Sequence, residues 1–120
     1  KKKVLDMTDS MQVANTIRDQ IAAGRTEDNT KGFVAMRCWG ADNFTGCGAS
    51  EKDRGWLSFS VKGALFKGHV KVRLMWDDMY RVEFFKFSKW ELKRVREVDH
   101  VFFDDLTSVI DGFVEKKVAA

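Results

Sequence analysis

Between Val70 and Phe87 apolar and charged side chains alternate with period two on both sides of Asp77 and Asp78, the pattern of a half-buried antiparallel hairpin. Val70, Val72, Leu74 and Trp76 fall on one face and His69, Lys71 and Arg73 on the other. On the return limb Tyr80, Val82 and Phe84 extend the apolar set, while Arg81 and Glu83 extend the charged one. The two apolar sets share a face only if paired residues differ by an even number, so the loop holds an odd number of residues. A loop of Asp77, Asp78 and Met79 sets Trp76 opposite Tyr80, Leu74 opposite Val82, Val72 opposite Phe84 and Arg73 opposite Glu83, pairs worth about 0.2 to 1 kcal/mol each. A loop two residues longer sets Arg73 against Arg81, which is unfavourable unless an anion lies between them. Pairing energies favour the shorter loop. The longer one would leave an anion site on the outer face.

The same logic organises the rest of the chain. Val13, Ile17 and Ile21 recur every four residues after Asp9, with Gln12 in the capping-box position and Gly24 beyond the end, which predicts a helix over 9–21. A polar loop, 25–32, leads into FVAMRCW, where Phe33, Ala35, Arg37 and Trp39 alternate against Val34, Met36 and Cys38 as in a first strand. Gly40 to Gly55 reads as one long irregular loop, a length that signals mobility or function. WLSFSVK follows as a strand with Leu57, Phe59 and Val61 inward, then the hairpin, then a turn at Ser88 and Lys89 into a weaker fifth strand, WELKRV. Phe102, Phe103, Leu106, Val109, Ile110, Phe113 and Val114 fall at helical spacing, with Asp104 and Asp105 at the start and Lys116 and Lys117 at the end, as the helix dipole favours. The expected fold is α+β: a single antiparallel sheet of four or five strands with the N-terminal and C-terminal helices packed on one face. The opposite face, carrying Arg37, Ser58, Ser60, Lys62, Lys71, Arg73, Arg81 and Glu83, is left for water or a partner.

Composition narrows the function classes. The chain has 120 residues, enough for one domain, expected over 9–117. Residues 1–8 read as a disordered basic tail or an added segment, since MTDSMQ at Met7 resembles a native start. Neither a signal nor a membrane-spanning stretch is recognisable, which points to the cytoplasm. Cys38 and Cys47 match no zinc spacing and read as reduced thiols. The net charge of +3 is equal to the contribution of Lys1, Lys2 and Lys3, so the body of the chain is close to neutral.

No catalytic or metal signature is present, and no cofactor is implied. His69 and His100 stand in no nucleophile or metal motif and read as solvated side chains. The pairs Asp77-Asp78 and Asp104-Asp105 are accounted for by a turn and a helix N-terminus. GCGASEK lacks the spacing of a phosphate loop, and Cys47 has no base beside it. The outer sheet face remains: Arg37, Lys62, Lys71, Arg73 and Arg81 interleaved with Trp39 and Trp56, a pattern suited to an anionic ligand, a nucleotide or a single strand held by charge and stacking.

The segments VANTIRDQI, CWGADNF, DMYRVEFFKF and VFFDDLTSVID together resemble a group of small proteins encoded by bacteriophages and prophages, over most of residues 12–115. The resemblance rests on a Trp-Gly-Ala-x-Asn segment, here Trp39, Gly40, Ala41 and Asn43, and an Asp-x-Tyr-x-Val-x-Phe strand, here Asp78, Tyr80, Val82 and Phe84. It carries no catalytic residue. It implies a product made in the bacterial host cell, of a kind that often binds host components, including defence machinery such as CRISPR systems. The expectation is a non-enzymatic binding protein that occupies a host protein or small anionic ligand through Arg37, Trp39, Asn43, Trp56, Lys62, Lys71, Arg73 and Arg81. A single-stranded nucleic-acid accessory of phage replication is the alternative, and a homo-oligomer remains open.

Overall fold

The computed structural model describes the backbone of residues 2–115 and the side chains of residues 12–115. Helix α1 spans Lys2–Ala23, α2 Gly32–Cys38, and five strands follow: β1 Asp42–Cys47, β2 Trp56–Lys62, β3 Lys67–Leu74, β4 Tyr80–Ser88 and β5 Glu91–Val101. A short 3-10 turn, Phe103–Asp105, opens the last helix, α3 Leu106–Val114. The strands form one antiparallel sheet in the order β1-β2-β3-β4-β5. This is the expected α+β architecture, with α1 and α3 on the same face.

Alternation decides the two sides of the sheet. Leu57, Phe59 and Val61 on β2, Val70 and Val72 on β3, and Tyr80, Val82 and Phe84 on β4 are all buried, joined from the helices by Ile17, Ile21, Leu106, Ile110 and Val114. Each fully buried side chain of this size contributes about 1.5 to 3 kcal/mol. The helices are tied to one another by Thr107 Oγ1, which donates to the Ile21 carbonyl at 2.7 Å, and to the sheet by Tyr80, whose hydroxyl donates to Gln20 at 2.5 Å.

Several boundaries differ from expectation. α1 begins at Lys2, so Asp9 and Gln12 lie inside the helix and not at its N-terminus, although Gly24 ends it as expected. The tail expected over 1–8 lies outside the residues whose side chains are described, as do Lys116 and Lys117. FVAMRCW is helix α2, not a strand. Ala35 and Trp39 are buried one turn apart while Phe33, Val34, Arg37 and Cys38 are exposed, a helical period that seven residues cannot separate from alternation. Gly32 permits the fold here, since a Cβ at this position would lie 1.8 Å from the Ile21 carbonyl oxygen.

The loop expected over 40–55 contains β1, an edge strand exposed along most of its length and therefore without an alternating burial pattern. Asn43 takes φ +56 where the β1–β2 register shifts. The hairpin register is the one that pairing energies disfavoured: Leu74 faces Tyr80, Val72 faces Val82, and Arg73 faces Arg81. Trp76 consequently falls in the loop and is exposed. β5 runs from Glu91 to Val101, well beyond WELKRV. Just before α3, Phe102 and Phe103 are exposed, and the predicted apolar stripe reaches the core only from Leu106 onward.

Candidate functional site: the outer sheet face and the β4–β5 arm

The Arg73–Arg81 pair is stable because carboxylates surround it. Asp53, fully buried in the loop before β2, accepts from Arg73 Nη1 at 2.5 Å, and Glu83, 3% exposed, accepts from Arg73 Nε at 2.8 Å. The second oxygen of Glu83 accepts from Arg94 Nη1 at 2.9 Å, and Arg94 also meets Glu97 at 2.8 Å. Arg81 is held on its other side by Asp99 in a two-pronged bond, Nε to Oδ1 at 3.0 Å and Nη2 to Oδ2 at 3.2 Å. Three arginines thus meet four carboxylates contributed by β4, β5 and the β1–β2 loop. A cavity of 170 Å³ lies among Lys52, Arg73, Arg81, Glu83 and Arg94, yet the charge an external anion would neutralise is already met within the fold.

The sequence-predicted contact residues therefore separate. Arg37 lies on α2, away from the sheet. Trp39 is fully buried: it stacks on Phe59 with ring centroids 6.5 Å apart, and its Nε1 donates to Asp111 Oδ1 on α3 at 2.9 Å. Neither belongs to an outer contact surface. Arg73 and Arg81 are there but engaged. Asn43 is exposed on the edge strand β1, where its Nδ2 donates to Ser60 Oγ at 3.2 Å, and Lys62 is exposed at the end of β2, opposite Lys67 on β3. Trp56 is on the outer face, roofed by Lys71, whose ammonium lies 4.2 Å from the Trp56 ring centroid and 5.8 Å from that of Phe85. Burial first, and the neighbouring Arg73 charge second, hold the Lys71 ammonium below its ordinary pKa.

Beyond Phe85, β4 leaves β3 and pairs only with β5. Lys86 faces Lys93, Phe87 faces Leu92 and Ser88 faces Glu91, around a two-residue turn of Lys89 and Trp90. Every residue from Lys86 to Glu97 is exposed. This two-stranded arm carries five basic residues and one acidic residue between Lys86 and Arg96, a net charge of +4 against +3 for the whole chain. It also displays Phe87, Leu92 and Trp90, the last 92% exposed. Pairing assigns its faces: Phe87 and Leu92 continue the outer side of Phe85 and Arg94, whereas Lys86 and Lys93 continue the side of Phe84 and Arg96. Lys89 and Trp90 have φ of +48° and +71°, the primed-turn conformation that Asn-Gly adopts readily and a bulky side chain does not.

Sequence reasoning missed the arm because it ended the hairpin at Phe87 and began the next strand as a separate weak one. A turn at Ser88 and Lys89, as the sequence suggested, would set Lys86 opposite Glu91, and only the turn one residue later, at Lys89 and Trp90, sets Lys86 against Lys93.

On the helix side a cavity of 440 Å³ is lined by Thr26, Asp28, Cys38, Asp111 and Glu115 among others. Burial pushes the Asp111 carboxyl above its ordinary pKa, opposed by the Trp39 hydrogen bond and reinforced by the charges of Asp28, Glu115 and Glu27. Among the described residues no group of three or more His, Cys, Asp or Glu is placed to hold a metal ion, and no helix is long and apolar enough to cross a membrane. Both cysteines are free and exposed. His69 lies half-buried on β3, and His100 Nε2 stands 3.9 Å from Asp77 in an exposed contact. Comparison of the chain with family models, with curated proteins and with solved structures returns no match.

Proposed function

We propose that this chain is a non-enzymatic binding protein that acts by occupying a partner, and that the β4–β5 arm is its contact element. The observation that carries the proposal is the separation of charge: Arg73, Arg81 and Arg94 are matched by Asp53, Glu83, Glu97 and Asp99, while the remaining charged residues of the arm, Lys86, Lys89, Lys93, Arg96 and Glu91, sum to +3 with Phe87, Trp90 and Leu92 exposed. An exposed aromatic among unneutralised cations is what recognition surfaces combine, and nothing in the core requires it. The resemblance to bacteriophage and prophage proteins makes the partner a component of a bacterial host cell, and anti-defence inhibition is the role that fits a small occupying protein. The small-anion version loses its support, because internal carboxylates take the place the anion would fill.

The test is co-purification from a bacterial host with the intact chain and with a Phe87→Ser, Trp90→Ser variant. A component recovered by the first and lost by the second, with unchanged thermal unfolding, supports the proposal. Identical recovery by both would remove the arm from it.

A further inference from the structure

Four like-charge pairs lie directly across strands in this sheet, Lys62–Lys67, Arg73–Arg81, Glu83–Glu97 and Lys86–Lys93, and the fold treats the two that set β4 cations against a neighbouring strand differently. Arg73 and Arg81 are surrounded by carboxylates at 2.5 to 3.0 Å. Lys86 and Lys93 are paired in the same way, yet neither takes part in any ion pair among the described residues, and nor do Lys89 and Arg96. Like charges directly opposite one another are destabilising, and a row of them on one face of an exposed ribbon is complementary to a regularly spaced polyanion. Arg96, on the same face, lies 5.8 Å from the Phe113 ring, so the basic row starts where the core ends. At its far end stands Trp90, 92% exposed in a left-handed backbone conformation.

Building on the arm as contact element, we propose that its Lys86, Lys93 and Arg96 face, with Lys89 at the turn, binds the phosphate backbone of a single-stranded nucleic acid while a base stacks on Trp90. Cations tracking the backbone and an aromatic surface for the bases are the two elements of strand binding without sequence preference. A duplex would use the cations and leave Trp90 without a role, and an acidic protein segment would likewise not call for a flat aromatic at the tip. The site differs from the one the tryptophans alone suggest, because Trp39 is buried and Trp56 is covered by Lys71.

The experiment is an anisotropy titration of the full chain against a labelled oligothymidylate of about 20 nucleotides, longer than one site. With four cations engaged, the logarithm of affinity should fall with the logarithm of salt concentration at a slope of about −3. Lys86→Glu with Lys93→Glu should lower affinity more than tenfold at low salt and flatten that slope, whereas Trp90→Ala should lower affinity about tenfold and leave the slope unchanged. No binding at low salt overturns the inference, as does equal binding by the charge-reversed variant. A duplex of the same length bound as tightly, with Trp90→Ala neutral, overturns it too. Arm-dependent recovery of a protein that survives nuclease treatment would overturn this inference while leaving the arm as contact element intact.

Discussion

At the scale of single residues, the molecule is held by polar groups whose value comes from where they are buried. Glu83 is nearly inaccessible and accepts from two arginines on different strands. Glu83→Gln leaves one acceptor oxygen for two guanidinium groups and should lower stability by about 2 kcal/mol, read as a shifted midpoint in urea denaturation. Asp111 behaves in the opposite sense. Its folded-state pKa lies above the ordinary 3.8, so the stability it contributes is full below that pH and is lost as pH rises through the raised value. Asp111→Asn keeps an acceptor for Trp39 Nε1 without the charge. It should melt higher than the wild type at neutral pH, with the gap closing as pH falls below the ordinary carboxylate range; a lower melting temperature at neutral pH would contradict this assignment. Reversing Arg73, by contrast, probes the fold and not a contact, because it strands Asp53 and Glu83.

Among the elements, legibility followed the length and one-sidedness of the pattern. β2, β3, β4 and α3 were readable because each places three or more apolar residues at a clear period against the core. α2 was not, since seven residues satisfy both periods and the close passage of Gly32 over Ile21 is a tertiary fact. The hairpin register failed for a related reason. Local pair energies favoured Arg73 opposite Glu83, but Asp53, twenty residues before Arg73, makes the Arg73–Arg81 register tolerable. The arm's turn is the element whose sequence fits its conformation least. Replacing Lys89 and Trp90 by Asn and Gly should stabilise the domain by up to about 1 kcal/mol in thermal or urea unfolding, while removing the exposed aromatic and one cation. A more stable protein that binds less is the expected outcome, the pattern of an element retained for function at a cost to stability.

For the molecule as a whole, the one-sided sheet was legible and the proposed contact surface was not. The apolar side is blanketed by α1 and α3 as its alternation requires. On the polar side, side chains read as free from composition are satisfied by partners distant in sequence: Arg73 by Asp53, Arg81 by Asp99, Trp56 by Lys71. The near-neutral charge of the body concealed a separation in space, because the cations of residues 86–96 are offset by acidic residues elsewhere in the chain. The molecule measures 55 × 36 × 23 Å, and the contact surface proposed for it is the arm at residues 86–96. Site-specific photo-crosslinking in a bacterial host cell tests this most directly, with a benzophenone side chain placed in turn at positions 90, 87, 62 and 37. Discrete adducts from 90 and 87 and none from 62 or 37 are expected; adducts from 62 or 37 with none from the arm would place the contact elsewhere on the molecule.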